Sequence, residues 1–227
     1  MGFLKKVWHS IKAAVRLVVR IVVTVWGLLV GLPDLLLGFL TWPRKKLRYH
    51  VFILSDEKGP LVNPADLAPS IDFFTKTFQD QFNVRVVAYG KPGIEIIKEP
   101  APASALDVSC GGGAFSNEFG EAGEFFAHHI AGWNAIPISL TFPVTIFIVR
   151  SIVAKNGCSL GPLTDYVTLT PSAVLAVNVM AHEVGHSCSL WHSLTHSNLM
   201  WRDISRGNTV KWFQKNLVRS SRHVQYA

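Results

Sequence analysis

The sequence predicts an α/β domain preceded by an apolar N-terminal helix. Three observations support this prediction. Residues 49–89 carry a strand–helix–strand pattern, and two further β-branched segments precede another helical stretch later in the chain. Strands alternating with helices are typical of α/β folds. Ahead of these elements, the twenty residues Ile21–Leu40 contain a single charge, Asp34, and an apolar run of that length can cross a bilayer as a tilted helix.

Composition places the chain among folded proteins and excludes a nucleic-acid-binding domain. It has 227 residues, of which 49% are hydrophobic and 16% are charged, and this mixture is too apolar for a disordered chain. The net charge of +7 is uneven: residues 1–48 hold nine lysines and arginines against one acid, and residues 49–227 hold thirteen against fourteen. Binding to phosphates needs a basic face on the domain itself, so we expect no nucleic-acid partner.

The N-terminal segment, residues 1–46, is predicted to be a basic, amphipathic membrane anchor. Before the apolar run, five basic residues recur at three- and four-residue spacing and form one stripe on a helix. They are Lys5, His9, Lys12, Arg16 and Arg20. Such a stripe suits anionic lipid headgroups, so a lipid bilayer is the expected partner of this segment.

We expect the segment to be retained, because no small-x-small cleavage site closes the apolar run, which ends in TWPRKK. A secreted protein with a cleaved leader is the rival interpretation. Pro33-Asp34 interrupts the run, so a shallow hairpin or an in-plane helix stays open beside a straight span. Five lysines and arginines precede the run and four follow it. This excess favours a single-pass protein with a cytoplasmic N-terminus and its domain on the other side.

The predicted domain, residues 47–227, begins with three elements. Tyr49–Leu54 is a short apolar strand. Asn63-Pro64 opens a helix that extends to about Phe82, because apolar residues recur along it at three- and four-residue spacing. Asn83–Tyr89 is a second strand. Together these elements predict a strand–helix–strand unit.

The rest of the predicted domain is less regular. Residues 91–142 are rich in Gly, Pro and Ala without clear periodicity, and we expect a long, loop-rich insertion there. Val144–Val149 and Tyr166–Thr170 are two further predicted strands. Thr170-Pro171 then places a capping hydroxyl before a proline, which is a typical helix start. The helix from Pro171 is apolar nearly all round, as expected for a helix buried in a core.

This helix carries the motif His182-Glu183-Val184-Gly185-His186. The four-residue separation places both imidazoles on one helical face, where they can share a zinc ion at about 2.0–2.1 Å. No glutamate follows Glu183, and Asp203 is the only later acid, so a downstream glutamate ligand is excluded. His192 becomes the third ligand only if the helix ends after His186 and the chain turns back, since an unbroken helix would carry it away from the metal.

The stretch HEVGHSCSLWH, followed by SLTHSNLMW, resembles the metzincin zinc metalloproteases. In that family the pattern is His-Glu-x-x-His-x-x-Gly-x-x-His with a later methionine-bearing turn. Ser189 stands where the family has glycine, and no tyrosine lies two residues after Met200. The resemblance implies a twisted, mostly parallel sheet over a long zinc-binding helix. It also implies that three histidines and a water molecule bind the metal. Met200 is then a structural residue that lies beneath the metal and does not bind it.

From these residues we predict a membrane-anchored zinc endopeptidase, a hydrolase of protein or peptide substrates. His182, His186 and His192 are the expected Zn²⁺ ligands, and three neutral imidazoles leave the metal able to lower the pKa of its bound water. Glu183 is the expected catalytic residue, which takes the proton of that water and delivers it to the leaving nitrogen. The alternative is a non-proteolytic, zinc-containing binding or assembly module at the membrane.

The remaining features have ordinary interpretations. Cys110 and Cys158 are buried thiols or a disulfide, and Cys188 is a buried thiol. His196 and the pair His128-His129 are expected to be surface or core residues. Residues 208–219 form an amphipathic helix with Val210, Phe213 and Leu217 on one side. Its expected role is packing on the domain, and a membrane-surface contact is the alternative.

Overall fold

The computed structural model describes residues 3–130 and 143–226. The helices are α1 (Phe3–Val30), α2 (Leu32–Leu37), α3 (Ala68–Phe82), α4 (Ala103–Leu106), α5 (Gly112–Phe119), α6 (Glu121–His129), α7 (Pro171–Leu175), α8 (Val179–Ser187) and α9 (Trp212–Ser220). The strands are β1 (Lys45–Asp56), β2 (Gly59–Pro60), β3 (Val84–Ala88), β4 (Ile94–Pro100), β5 (Asp107–Val108), β6 (Val144–Ile148), β7 (Ser151–Ile152), β8 (Gly157–Ser159), β9 (Tyr166–Leu169) and β10 (Val224–Tyr226). Short 3-10 turns cover Gly38–Leu40, Pro64–Leu67 and Gly161–Leu163.

The central strand of the main sheet is β1. It pairs in parallel with β3 and β4 along one edge and with β6 along the other, and β6 pairs in parallel with β9. Antiparallel strands complete the sheet, with β10 on the start of β1 and β8 on β9. The predicted α/β fold with a mostly parallel sheet is therefore confirmed.

Alternate residues of β1 enter two different cores, as the period of a strand requires. Val51 and Ile53 pack with α3 and α8 in the larger core. Phe52 and Leu54 pack with α4 and α6 in the smaller core on the opposite face. Helices thus cover both faces of the sheet, and α8 is held rigidly in the larger core.

The predicted strand–helix–strand unit is present as β1, α3 and β3. The Asn63 side chain accepts a hydrogen bond from the Ala65 N–H at 3.0 Å, which starts the helical segment as expected. The strands predicted at 144–149 and 166–170 are β6 and β9. Thr170 caps α7, because its hydroxyl accepts the N–H of Ala173 at 3.3 Å.

Two predictions about the later part of the chain are wrong. Residues 91–130 are not loop-rich, since they contain β4, α4, β5, α5 and α6. These elements have two to nine residues, too few for a periodic pattern to emerge. Residues 131–142 lie outside the described residues. The single long helix expected from Pro171 is also divided, because Ala176 leaves the helical backbone angles between α7 and α8 (φ −91°, ψ 82°).

The basic stripe of α1 faces the domain. Arg20 is buried, and its Nε and Nη1 atoms bind the carboxylates of Asp165 at 2.9 Å and Glu118 at 2.5 Å. Arg16 and Lys12 both bind Glu124, and His9 lies 3.5 Å from the same carboxylate. These four side chains therefore face acids of the domain, whereas the sequence alone suggested that they face lipid headgroups. The Lys5 side chain lies outside the described residues.

The apolar run breaks at Gly31, as Pro33-Asp34 suggested. A Cβ at Gly31 would lie 2.7 Å from the carbonyl oxygen of Ser220, so the close approach of α1 to the end of α9 requires glycine. Beyond the break, buried Asp34 accepts hydrogen bonds from Lys45 at 2.9 Å, Arg219 at 3.2 Å and the Tyr226 hydroxyl at 2.7 Å. These partners offset the cost of burying the carboxylate.

Candidate metal centre

Helix α8 places His182 and His186 one turn apart on the same face, and both rings are fixed by backbone carbonyls. The Nδ1 atom of His182 lies 2.9 Å from the Leu199 carbonyl oxygen. The Nδ1 atom of His186 lies 2.7 Å from the Leu190 carbonyl oxygen. Because a carbonyl can only accept, each Nδ1 carries the proton, and each Nε2 is left with a bare lone pair.

These two lone pairs face each other. The Nε2 atoms of His182 and His186 are 3.1 Å apart. Burial lowers the pKa of His182 to about 2 and that of His186 to about 4, so both rings are neutral at physiological pH. Two acceptors at this distance repel each other unless a cation lies beside them. The donor set therefore fits a divalent metal that takes imidazole nitrogen, such as zinc.

The chain reverses direction after α8 at the predicted position. Ser189 has the left-handed backbone angle φ 70°, and the N–H groups of Ser189 and Leu190 donate to the carbonyls of His186 at 2.9 Å and Gly185 at 3.0 Å. This pair of bonds is a Schellman motif. It returns His192 to the other two rings, and the ligand atoms of the three histidines all lie within 4.8 Å of one another.

Met200 is fully buried against α8. A Cβ at Gly185 would lie 2.8 Å from the Met200 sulfur, so the side chain packs directly on the backbone of α8 between the two helical histidines. The Met200 carbonyl accepts the N–H of Ser193 at 2.8 Å, which ties the segment after His192 to this turn. The Met200 side chain therefore contacts α8 at the residue before His186.

Glu183 is almost fully buried beside the edge strand β8. Burial raises the pKa of its carboxyl group to about 7, and the nearby charges of Arg206 and Lys155 act in the opposite direction. Gly157 of β8 lies against this side chain, since a Cβ at residue 157 would come within 2.7 Å of Glu183 Oε1. A carboxyl group with a pKa near neutrality can both accept and release a proton.

Sequence reasoning missed the residues that hold the methionine turn. Asn198 is buried, its Oδ1 accepts the Met200 N–H at 2.9 Å, and its amide exchanges hydrogen bonds with Gln214 at 2.8 and 3.3 Å. The Ser-Asn pair two residues before Met200 is a local turn signal that could have indicated this role. Arg206 was also missed. It is buried, and its guanidinium donates to the carbonyls of Asp203 at 2.8 Å and Arg202 at 3.0 Å.

The other candidate ligands stay apart from this cluster. Within residues 3–130 and 143–226, His182, His186 and His192 are the one group of three or more side chains with metal-binding geometry. His128 and His129 lie on α6, and His196 contacts the Ser205 hydroxyl at 3.1 Å. Cys110 and Cys158 form a disulfide, which joins the segment before α5 to β8, and Cys188 is a buried free thiol.

No family model and no curated protein sequence matches the chain. Among solved structures, the fold is similar to that of metalloproteinase-II from Bacteroides fragilis, with a TM-score of 0.53 and 14% sequence identity. The match covers 80% of this chain and 54% of the neighbour, so the chain spans about half the length of that protein. At this identity the likeness is one of fold, and the histidine cluster is the independent observation that bears on chemistry.

Proposed function

We propose that this protein is a zinc-dependent endopeptidase attached to a membrane, with His182, His186 and His192 as zinc ligands. The observation that carries the proposal is the convergence of three neutral imidazoles next to a buried glutamic acid with a pKa near 7. The similarity in fold to a metalloproteinase supports it. The turn at Ser189 and the position of Met200 support the finer assignment to the metzincins.

Each protein group has a defined role in this proposal. Zinc, when bound, supplies a Lewis acid that polarises the peptide carbonyl and makes water more acidic. Glu183 takes a proton from the attacking water at its carboxylate and returns it to the leaving nitrogen. The carbonyls of Leu199 and Leu190 hold the two helical histidines in the tautomer that presents Nε2.

The edge strand supports a polypeptide as substrate. Strand β8 ends the main sheet, and in the part of the chain that the structure describes its ladder partner is β9 alone. An extended peptide can add to a free strand edge through main-chain hydrogen bonds. A peptide bound along β8 would pass Gly157 and therefore Glu183, which suits cleavage within a chain.

The N-terminal segment, residues 1–46, is the proposed membrane attachment of a catalytic domain formed by residues 47–227. One stretch of α1, Val7–Val30, is long and apolar enough to cross a membrane, with a mean hydropathy of 2.1. The disulfide between Cys110 and Cys158 supports a location outside the reducing cytosol.

Metal analysis and peptide hydrolysis test the central proposal together. We expect the purified full chain to hold one zinc per molecule and to cleave peptides. Glu183→Gln should keep the zinc and lose hydrolysis, because the ligands remain and the base is gone. His192→Ala should weaken zinc binding about 10- to 100-fold or more, and His196→Ala is the matched control.

Three outcomes would contradict the proposal. Unchanged zinc affinity in His192→Ala would remove this residue from the ligand set, and full hydrolysis by Glu183→Gln would refute the role of the glutamate. Zinc-loaded wild-type protein without hydrolysis across a diverse peptide library would favour the alternative, a zinc-containing binding or assembly module.

A further inference from the structure

The outward side of the N-terminal segment is entirely apolar over a long distance. From Ile11 to Leu40, every exposed residue is apolar. Within α1 this stretch covers residues 11–30 and is therefore about 30 Å long. Monomeric soluble proteins rarely expose a continuous apolar surface of this size. The exposed large side chains on α1 include Trp8, Ile11, Val15, Val18, Val22, Val25, Trp26 and Leu29.

The inward side of α1 fixes the orientation of the helix. Arg20 is 1% exposed and binds Asp165 and Glu118, which are also buried. If α1 crossed a bilayer away from the domain, Arg20 and Arg16 would enter hydrocarbon, and Glu118 would lose both of its cationic partners. Breaking a buried ion pair in this way is strongly unfavourable. The helix therefore keeps its basic side on the domain and its apolar side outward.

The apolar surface continues from this segment to the metal centre. Phe39, in the 3-10 turn after α2, packs edge-to-face on Trp212 of α9, with ring centroids 6.4 Å apart. The ring of Trp212 also packs edge-to-face on that of Phe213, with ring centroids 6.1 Å apart. Phe213 then lines a cavity of about 330 Å³ together with Trp191, Leu194 and the predicted ligand His192. The exposed Lys211 lies at the same cavity, where its cation can reach lipid headgroups. Trp191 and Leu194 are 81% and 93% exposed.

We propose that this surface, formed by the outward sides of α1 and α2 with Phe39, Trp212, Trp191 and Leu194, lies in the headgroup–acyl boundary of a lipid bilayer. Helix α1 lies parallel to the membrane plane and does not cross it. The cavity next to His192 is thereby placed beside the lipid. The inference deepens the membrane attachment proposed above and does not depend on the chemistry of the metal centre.

Lipid fits this surface better than a protein partner does. Protein–protein interfaces have a polar rim and about one hydrogen bond per 100–200 Å², whereas the exposed residues from 11 to 40 offer no polar side chain. Lys12, Arg16 and Arg20 are paired with Glu118, Glu124 and Asp165, so the outward side of residues 11–30 carries no unpaired charge into the hydrocarbon. Exposed tryptophans at residues 8, 26 and 42 suit the interfacial layer of a bilayer.

Spin-label depth measurements test the orientation. Ile11→Cys, Val18→Cys and Val25→Cys place nitroxides on one side of α1 in the full chain, bound to vesicles of phosphatidylcholine and phosphatidylglycerol. The native cysteines do not interfere, because Cys188 is buried and the other two are joined. An in-plane helix gives three similar depths of about 5–10 Å below the headgroups. A spanning helix gives depths that differ by up to about 21 Å.

Two further labels test the path to the metal centre. Leu194→Cys and Trp212→Cys should show high accessibility to oxygen, which concentrates in the bilayer, and Lys76→Cys on the exposed side of α3 should show clearly lower accessibility. Replacing Trp191 and Leu194 together with serine should weaken vesicle binding roughly tenfold. Val153→Ser, which removes an exposed apolar side chain elsewhere, should leave binding unchanged.

Each outcome decides a separate point. Graded depths along α1 would overturn the in-plane orientation but keep membrane attachment. Failure of the wild-type protein to bind vesicles would overturn both. Labels at 11, 18 and 25 that are buried in a dimer, detected by sedimentation in the presence of vesicles, would assign the surface to a second copy. If the labels at residues 194 and 212 are exposed to water, the cavity beside His192 does not lie at the membrane, and this part of the proposal is overturned.

Discussion

Gly157 and Glu183 are in direct contact across the boundary between β8 and α8. A Cβ at residue 157 would lie 2.7 Å from Oε1 and 2.8 Å from Cγ of Glu183. The side chain of Glu183, the proposed catalytic base, thus packs closely against β8, the strand proposed to receive the substrate. This packing is possible because residue 157 has no side chain.

Gly157→Ala should therefore lower peptide hydrolysis, because the methyl group displaces the Glu183 carboxylate. We expect kcat/KM to fall about 100-fold, since small errors in the position of a catalytic group are costly. Zinc content should stay at the wild-type level. Ser159→Ala on the same strand is the matched control and should retain most of the activity. Equal activities of the two variants would refute the steric role of Gly157.

Ser189→Gly should stabilise the protein. Ser189 adopts φ 70°, and a left-handed residue with a Cβ costs about 1–2 kcal/mol relative to glycine. Part of this gain is lost because glycine is more flexible in the unfolded chain, so we expect about 0.5–1 kcal/mol in urea unfolding. Ser205→Gly, at a residue without positive φ, should not stabilise. A destabilised Ser189→Gly protein would contradict this account of the turn.

Asn198→Ala should disturb the metal centre without removing a ligand. The change leaves the Met200 N–H and the Gln214 amide without their buried partner, at a cost of about 1–3 kcal/mol in unfolding free energy. Because the adjacent Leu199 carbonyl orients His182, zinc affinity should also fall about tenfold. Isothermal titration with zinc and urea unfolding measure the two effects. Wild-type affinity together with lost stability would limit Asn198 to a structural role.

Arg20→Met should destabilise the chain by about 3 kcal/mol, because Glu118 and Asp165 lose a buried counter-ion. Urea unfolding in mild detergent, followed by tryptophan fluorescence, measures the change. Val18→Ser on the outward side of the same helix is the control and should alter the unfolding free energy by less than about 0.5 kcal/mol. If both variants unfold alike, α1 is not docked on the domain through Arg20.

Features of the fold and the site that depend on residues close together in the sequence could be predicted. The strand–helix–strand unit follows from periodicity. A turn between His186 and His192 follows from helix geometry if His192 is a ligand, because an unbroken helix would carry it away from His186, and its position at Ser189 follows from the resemblance to the metzincins. Both are present in the structure. The roles of the three histidines, Glu183 and Met200 in binding and catalysis remain predictions.

Features that depend on distant partners could not be predicted. The direction of the basic stripe on α1 depends on Glu118 and Asp165, which lie 98 and 145 positions away from Arg20. The same stripe on an isolated helix is equally suited to headgroups. The elements between residues 94 and 129 were missed because each is too short to display a period. The break between α7 and α8 lies in a stretch without proline or glycine. Asn178, the N-cap residue of α8, is the one local signal there, and a single asparagine is too weak a signal to predict a break.

The four-residue contact around Asp34 limits how the protein can be prepared. Lys45, Arg219 and Tyr226 all bind this one carboxylate, so the beginning and the end of the chain stabilise each other. A shortened protein that starts near residue 47 would lack Asp34 and Lys45. The buried cation of Arg219 would then have no counter-ion from Asp34. Attempts to obtain a soluble protein by removing the apolar N-terminal segment should therefore yield misfolded material, and polar substitutions on the outward side of α1 are the better route.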